Sequence, residues 1–444
     1  MISIATPLLR LSHYSLLAML GLALGACQPT KQPHTEPDLV SLLNQNLTNT
    51  VVLDAFKPPV AARIYAYSNL AIFECLRMGD STMPSMSAYV ENLDSLPTPA
   101  VDQTYNWEIA AIACFSKVAQ ETVYRDYMIK QYTDSLLELY KKSTSAKTVE
   151  PSIAFGEEMA KRVIAMSKKD KYGYTRTLAK YTPLYAEDKW QPTLPKYGEA
   201  CEPNWGKTVC FFIDSPSQFR PGAPLAYADD KNSPFYKINL EVYEKSKTVS
   251  KEQKEIALFW DDNPAPLAID GHLMKTYKQI SPGGHWVSIA CQVFRQEKTK
   301  PLLQAKILTV LTMTISDAFK SIWHTKYFYE TIRPVTYINR LIDPNWLPFI
   351  ETPPFPEYSS GHAGISIAGS IIMTHYFGDN HQFTDSTEIP YGKGIRSFES
   401  FDLAAKEAAI SRVYAGIHYA HACDSGRVEG ANVANYALRK LAEK

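Results

Sequence analysis

Three short clusters in the last quarter of the chain carry side chains that suit the binding of a tetrahedral oxyanion. Lys326, Arg333 and Arg412 supply permanent positive charge, and the fork of an arginine fits paired oxyanion oxygens. Ser360 and the backbone amide of Gly361 add short neutral donors. No acidic side chain in the clusters has an obvious metal-binding placement. The residue types therefore predict an anion-binding site.

His362 and His418 are the side chains of these clusters that can gain or lose a proton near pH 7. One imidazole could bond the central atom of the anion while the other handles protons on the opposite side.

The spacing of the charged residues predicts the elements that carry them. Lys326 and Arg333 are seven residues apart, and a predicted helix over 302–332 would place both on one face. Arg412 and His418 are six apart and would not share a face. Either Gly416 distorts the helix or the Arg412 side chain reaches round it.

The second cluster is predicted to begin a helix. Ser359 or Ser360 is a suitable N-cap for the apolar run that starts at Ile365. Gly361 and His362 would then lie at a helix N-terminus, where free amides and the helix dipole favour an anion.

The three clusters together resemble the superfamily of type 2 phosphatidic acid phosphatases, bacterial acid phosphatases and vanadium-dependent haloperoxidases. The family pattern is Lys, six residues, Arg-Pro; then Pro-Ser-Gly-His; then Ser-Arg, five residues, His, three residues, Asp. Lys326 to Pro334 match the first part, and the resemblance covers residues 302–432. The sequence departs from the pattern at Ser359, which replaces the proline, and at Ala422, which replaces the aspartate.

This resemblance implies a role for each matching residue. His418 would be the covalent partner, bonded to vanadium in a haloperoxidase or to phosphorus in a phosphatase. His362 would act on the opposite side. The oxyanion oxygens would be held by Lys326, Arg333, Ser360, Gly361 and Arg412.

Two reactions are compatible with the same set of residues. The first is oxidation of a halide by hydrogen peroxide at a His418-bound vanadate cofactor. The second is hydrolysis of a phosphate ester through a phosphohistidine, which needs no cofactor. Trp323 and Phe355 match aromatic positions near vanadate in the fungal chloroperoxidase, although core packing would also explain them. They favour a haloperoxidase-like enzyme, with an exported acid phosphatase as the alternative.

The resemblance also implies an upstream aspartate that positions Arg412. Asp262 or Asp261 could serve, unless the two merely end a helix before Pro264. Ala422 raises a second question, since a histidine that bonds vanadium needs an acceptor for its other ring N–H. Our hypothesis is that Asp424 has taken over this role, with a backbone carbonyl or Asp261/Asp262 as rivals.

Two further classes of function deserve comparison. The first is a catalytically silent oxyanion-binding lipoprotein, which the departures at Ser359 and Ala422 keep open. The second is a zinc site, for which no second ligand group at a recognisable spacing is present. Its ligands would be His418, His421, Cys423 and Asp424.

The N-terminus predicts export to the bacterial cell envelope. Residues 1–26 resemble a lipoprotein signal peptide, with Cys27 as the lipidated residue and residues 27–37 as a flexible tether. A secretory peptide cleaved without lipidation is the alternative. A formal net charge of +0 gives no general attraction to nucleic acid. We therefore expect small-molecule substrates, a membrane contact through the lipid alone, and no nucleic-acid partner; the oligomeric state is not predicted.

Apolar spacings of three to five residues predict an all-α fold of two packed helical bundles. Residues 38–233 would form the first bundle, ending in a proline-rich irregular excursion from Lys169 to Ser233 that lines the mouth of the site. Residues 234–444 would form the second, of the phosphatidic acid phosphatase/haloperoxidase type. Within the excursion, Cys201 and Cys210 are the expected disulfide, which export would permit.

Overall fold

Fourteen α-helices build most of the described chain, which comprises residues 38–270 and 273–443 of a computed structural model. The predicted signal peptide, the predicted lipidation site Cys27 and the predicted tether lie outside the described residues. The helices are α1 (Leu39–Asp54), α2 (Pro58–Leu76), α3 (Trp107–Gln120), α4 (Asp126–Lys141), α5 (Ala146–Lys169), α6 (Tyr172–Thr177), α7 (Pro234–Thr248), α8 (Lys251–Phe259), α9 (Pro282–Glu297), α10 (Pro301–Tyr329), α11 (Pro334–Leu341), α12 (Gly361–Phe377), α13 (Phe401–Tyr414) and α14 (Ala420–Ala442).

Two small antiparallel strand pairs and four short 3₁₀ helices complete the regular structure of these residues. Strands β1 (Leu267–Asp270) and β2 (Leu273–Thr276) form one, and β3 (Phe383–Asp385) and β4 (Arg396–Phe398) form the other. The all-α prediction is therefore confirmed.

Helix starts follow the local sequence. The side chain of Ser281 caps α9 by accepting from the amide of Gly284, and Pro282 follows as the first helical residue. Ser250 and Gln253 form a reciprocal capping box at the start of α8. A proline at the first helical position loses no hydrogen bond, because that amide has no partner within the helix.

Helix α10 is the central element of the core. It packs against α2, α9, α12 and α14, and an apolar helix without a polar face must be buried on all sides. By length and composition α10 could also cross a membrane, but 83% of its apolar window is buried inside the fold. We therefore interpret it as a core helix that delivers Trp323 and Lys326 to the site.

Helices α12 and α14 approach closely because glycines face each other. A Cβ atom added at Gly430 would lie 2.0 Å from the carbonyl oxygen of Gly364, and one at Gly426 would lie 2.4 Å from that of Ser360. No side chain fits at either contact. The close approach holds the N-terminus of α12, and with it Ser360, against α14.

The prediction that Lys326 and Arg333 share one helix is wrong. Helix α10 ends at Tyr329, and Glu330 has a left-handed backbone conformation with φ 54°. Arg333 is the extended residue just before α11, whose first residue is Pro334. The ring of a proline disfavours helical backbone in the residue before it, so Arg333 cannot continue α10. The two cations come from separate elements.

The predicted disulfide between Cys201 and Cys210 is also wrong, because both thiols are free. The carbonyl oxygen of Cys201 accepts from Trp323 and Tyr327 of α10. The amide of Phe211, next to Cys210, donates instead to Asp317, which lies at an earlier turn of α10. With a helical rise of about 1.5 Å per residue, these anchor points lie farther apart than the roughly 7 Å that a disulfide spans.

The division of the chain into two bundles at residue 233 stays a prediction. One hydrophobic core contains side chains from both proposed parts, such as Phe73 and Ile112 before the boundary and Leu308 and Ile372 after it. Helix α2 of the first part packs directly on α10 of the second.

Candidate active site

Arg333 is buried at the centre of the site. Its Nε donates to the carbonyl oxygen of Phe355 at 2.9 Å, and its Nη1 donates to that of Ile417 at 2.8 Å. Its Nη2 has no hydrogen-bond partner among the described residues. Burial lowers the pKa of Arg333 to about 10, so the side chain is still a cation at neutral pH. A buried guanidinium with a free N–H is suited to an oxyanion oxygen.

Lys326 supplies a second buried cation. Its Nζ donates to the carbonyl oxygens of Pro356 and Glu357 at 2.8 and 3.0 Å, which leaves one N–H of the ammonium for a ligand. Burial, followed by the nearby charge of Arg333, lowers the pKa of Lys326 well below its ordinary value. An anion between the two cations would oppose both effects.

Ser360 and Gly361 lie where α12 begins, as the sequence predicts. Ser360 is the N-cap residue, but its hydroxyl does not cap the helix. The buried Oγ makes no hydrogen bond of acceptable geometry with the described residues, and the Cys423 thiol is its polar neighbour. Gly361 lies against Trp323 and Lys326, since an added Cβ would be 3.5 and 4.0 Å from their nearest atoms. The helix start thus presents unused donors beside the cations.

His418 lies between α13 and α14, beyond a break at Gly416. The glycine has φ +77°, so the first of the two predicted alternatives applies and the helix ends before His418. The Nε2 atom of His418 lies 3.2 Å from Nη1 of Arg333. Arg412, in the last turn of α13, lines the same cavity as His418. The sequence-predicted cations, Ser360 and both histidines are therefore brought together.

The partner of His418 is Glu357, and the hypothesis that Asp424 holds this histidine is wrong. The Nδ1 atom of His418 lies 2.7 Å from Oε1 of Glu357, which also accepts from the amide of Tyr419 at 3.2 Å. Asp424 is an exposed residue near the start of α14, and its charge acts on His421 instead.

The protonation of His418 follows from these contacts. Burial, then the charges of Arg333 and Lys326, lower the pKa of His418 well below its ordinary value, so the ring is neutral. Burial raises the pKa of Glu357 to about 7, against the same two cations. Because the Arg333 guanidinium can only donate, Nε2 of His418 carries the lone pair, and Nδ1 carries the hydrogen that faces Glu357. That lone pair faces Arg333 and the anion site.

Ser359, which replaces the family proline, has a structural role. Its Oγ donates to Oε2 of the buried Glu429 at 2.5 Å, while Ser321 and Thr325 of α10 donate to Oε1 at 2.7 Å each. Glu429 is 0% exposed and its charge acts on Lys326. The substitution therefore satisfies a buried carboxylate behind the site.

The charges of Asp261 and Asp262, the two candidates for positioning Arg412, both act on this side chain, but its hydrogen bonds within the described residues go to other groups. Arg412 donates to Ser411 Oγ at 2.9 Å and to the carbonyl oxygen of Ala257 at 3.2 Å. Asp261 is the first carboxylate whose charge acts on Arg412, and burial raises the pKa of Asp261 to about 6, against the charge of Arg412. Asp262 turns towards two histidines instead.

His362 contacts Asp262, which the sequence suggested as a partner of Arg412. The Nε2 atom of His362 lies 3.4 Å from Oδ2 of Asp262. Burial, and then the charge of Arg412, lower the pKa of His362 to about 4, while Asp262 opposes the shift. The other oxygen of Asp262 lies 3.1 Å from Nδ1 of His285, a residue that the sequence analysis did not assign to the site.

A cavity of about 210 Å³ opens onto these side chains. Gly361, His362, Arg412 and His418 form its floor. The predicted aromatic residues lie on its wall, and the ring centroids of Trp323 and Phe355 are 5.0 Å apart. Lys196 and Cys201 line it from the irregular excursion, as expected.

The residues present fit a tetrahedral oxyanion such as vanadate. Nη2 of Arg333 and the hydroxyl of Ser360 are buried donors without a hydrogen-bond partner in the described part of the chain, and a ligand would satisfy them. The lone pair of His418 Nε2 supplies a bonding atom for the centre of the anion. His418, His421, Cys423 and Asp424 do not form a zinc site, since the described residues contain only one possible metal cluster, elsewhere.

The fold and the site define the class as helical proteins with a buried cationic cradle, suited to an oxyanion, beside the lone pair of a histidine. A family model described as the VCPO second helical-bundle domain matches residues 306–444. A bacterial vanadium-dependent iodoperoxidase of known structure is 36% identical over 91% of this chain and 96% of its own, with a TM-score of 0.85. The chain therefore belongs to the vanadium-dependent haloperoxidase family.

Two further structures share the fold. The holo form of a bacterial vanadium-dependent chloroperoxidase is 17% identical over 89% of this chain and 94% of its own, with a TM-score of 0.68. The apo form of such a chloroperoxidase is 16% identical over 87% of this chain and 94% of its own, with a TM-score of 0.65. No curated protein matches the chain.

Proposed function

We propose that this protein is a vanadate-dependent haloperoxidase that oxidises iodide with hydrogen peroxide. The observation that carries the proposal is the geometry of His418, whose Nδ1 lies 2.7 Å from Oε1 of Glu357 and whose Nε2 lies 3.2 Å from Nη1 of Arg333. Among the described residues, Nη2 of the same arginine and Oγ of Ser360 have no hydrogen-bond partner. When bound, vanadate would supply a Lewis-acidic centre that activates hydrogen peroxide without a change in its own oxidation state.

The residues of the chain bind and orient the cofactor. His418 would hold vanadium through Nε2, with its tautomer fixed by Glu357. Lys326, Arg333 and Arg412 would hold the oxygens and withdraw negative charge from them. These electrostatic interactions are strong in a site shielded from water. The amide of Gly361 and the hydroxyl of Ser360 would complete the cradle.

His362 would serve as the acid–base group on the cavity side. Its lowered pKa, about 4, leaves the ring neutral near pH 7, so it can accept a proton from hydrogen peroxide as the peroxide binds. Asp262, 3.4 Å away, would stabilise the resulting imidazolium. The same ring could then return the proton to the departing oxygen.

Iodide is the proposed halide for two reasons. The protein that is 36% identical over nearly the whole chain is called an iodoperoxidase. The cavity wall also carries Phe319, Trp323 and Phe355, and large polarisable iodide is less costly to transfer to such an apolar wall than the smaller halides. Iodide is the halide that is easiest to oxidise, so the least activating site suffices for it.

The test is to assay the purified protein for peroxide-dependent oxidation of iodide, bromide and chloride, with and without orthovanadate. We expect triiodide formation only after orthovanadate is added, and none with His418→Ala. Oxidation of bromide at the same rate would contradict the choice of iodide. Vanadate binding without any halide oxidation would favour the silent anion-binding protein.

The comparisons do not favour the acid phosphatase, because matches over nearly the whole chain are haloperoxidases. Both reactions would nevertheless use the same cradle. Hydrolysis of a phosphomonoester by the vanadate-free protein, abolished by orthovanadate and absent in His418→Ala, would establish the phosphatase instead.

A further inference from the structure

His285 is a buried histidine that the proposed chemistry does not use. It lies in the first turns of α9 and is 0% exposed. Its Nδ1 is 3.1 Å from Oδ1 of Asp262, and its Nε2 is 2.8 Å from Oδ2 of Asp385. A neutral imidazole has only one N–H, whereas an ionised carboxylate only accepts. Two carboxylate partners on opposite sides of the ring therefore call for an imidazolium.

The surroundings of His285 are built for a cation. Asp385 is fixed as an acceptor, because its Oδ1 takes hydrogen bonds from the amide and hydroxyl of Thr387 at 3.0 and 2.6 Å. The indole of Trp260 stacks on the imidazole with ring centroids 4.7 Å apart and an interplanar angle of 27°. Although burial lowers it, the charges of Asp262 and Asp385 raise the pKa of His285 well above its ordinary value.

The carboxylate of Asp262 links the imidazolium of His285 to the active site. Oδ1 of Asp262 faces His285, and Oδ2 of the same carboxylate lies 3.4 Å from Nε2 of His362. Asp262 is 2% exposed, so its negative charge needs a positive partner nearby. Without His285, the nearest group that could become that partner by taking a proton is His362.

We propose that His285 is a positioning residue that gives Asp262 a permanent cationic partner, so that His362 can stand beside this carboxylate as a neutral ring. The proposal rests on the proposed function only where it names His362 as the acid–base group. His362 is then free to take and release a proton during the reaction, instead of being trapped as one half of an ion pair with Asp262.

A metal ion is a poorer explanation of the same cluster. Ligand atoms of Asp262, His285 and Glu388 lie within 4.8 Å of one another, which alone would suit a metal. However, the second ring nitrogen of His285 is bound by Asp385, and Lys393 Nζ lies 2.6 Å from Oε2 of Glu388. Imidazolium and ammonium groups already supply the positive charge.

The charged and titratable groups that act on the two histidines come from several elements. Those facing His285 are Asp262, Asp385 and Glu388, the last of them bound to Lys393. Those facing His362 are Arg412, Asp262 and His285. A change of the His285 charge therefore reaches His362 mainly through Asp262.

The first test measures the wild-type protein without vanadate by NMR of ¹⁵N-labelled histidine rings. We expect the His285 ring to give imidazolium shifts for both nitrogens at pH 7 and at pH 8. A neutral His285 at pH 7 would overturn the proposal. Because this measurement uses neither a variant nor the halide reaction, its outcome is independent of the proposed function.

The second test is the pKa of His362 in His285→Gln, again without vanadate, with the His362 signal assigned from its loss in His362→Gln. Removal of a neighbouring positive charge raises the pKa of a base, so we expect a rise of about one unit or more. His375→Gln, which removes an exposed histidine of α12, should leave the pKa unchanged. An unchanged His362 pKa in folded His285→Gln would mean that His285 only fills space.

Discussion

At the scale of single residues, Glu357 provides the hydrogen-bond acceptor for His418 that Ala422 cannot provide. The family aspartate would share a helix face with His418, but here helix α14 begins only at Ala420 and the partner comes from the loop before α12. The sequence did contain a signal: Glu357 is an acid within a stretch of prolines and aromatic residues, three residues before Ser360. A search along the helix from His418 could not find it, because the contact spans 61 residues.

Glu357→Gln should weaken vanadate binding about 10- to 100-fold, the usual cost of losing a partner that orients a metal-binding histidine. The glutamine keeps the size of the side chain but loses the charge that fixes the His418 tautomer. Vanadate titration by calorimetry at constant pH measures the effect. Asp424→Ala is the matched control and should bind like the wild type; equal affinities of all three proteins would refute the role of Glu357.

The lowered pKa of His362 predicts how stability depends on pH. The unfolded chain binds a proton on this ring below about 6.5, whereas the folded protein does so only below about 4. The contribution of neutral His362 to the free energy of unfolding is therefore fully present above pH 6.5. It is lost as the pH falls to 4, and the loss is at most about 3 kcal/mol.

Urea unfolding of the vanadate-free protein at several pH values tests this assignment. His362→Gln should lose less stability than the wild type between pH 6.5 and pH 4. If the free energy of unfolding changed with pH in the same way in both proteins, His362 would titrate normally in the folded state.

At the scale of elements, the contact between α12 and α14 decides where Ser360 lies. Gly430→Ala should lower the free energy of unfolding by about 1–3 kcal/mol, the usual cost of overpacking, because the new Cβ would meet a backbone oxygen at 2.0 Å. Gly394→Ala is the control, since an added Cβ there meets nothing within 4 Å. Chemical denaturation measures both, and equal stabilities would contradict the tight packing.

The elements show where prediction from sequence succeeds and where it ends. The start of α12 directly after Ser360 followed from a serine before an apolar run, which is local information, although the Ser360 hydroxyl does not cap the helix. The helix break between Lys326 and Arg333 also had a local signal, Pro334. The prediction of one helix relied on the seven-residue spacing and gave this proline too little weight. The contact between α12 and α14 depends on glycines that meet only in the folded chain, and no local pattern reveals it.

At the scale of the whole molecule, the motifs predicted the family and the all-α fold, because their order and spacing are specific. The free thiols of Cys201 and Cys210 could not be predicted, since their separation depends on how the excursion is anchored along α10. The histidine contacts of Asp262 could not be predicted for a similar reason, since His285 and His362 come from two different helices.

Export with a lipid on Cys27 stays a prediction for the whole protein. Cys27→Ser should move the protein from the membrane fraction to the released fraction, because the acyl chains provide the membrane affinity. Fractionation of cells that express each form measures the change. Cys75→Ser, which alters a buried thiol of α2, is the control and should fractionate like the wild type, while an unchanged distribution of Cys27→Ser would refute lipidation.

The most direct test of the account is a crystal structure of the protein soaked in orthovanadate. We predict vanadium bonded to Nε2 of His418, with oxygens in contact with Arg333 Nη2 and Ser360 Oγ, and Glu357 still bound to Nδ1. Vanadate bound away from His418, or a His418 ring turned so that Nε2 faces Glu357, would contradict it.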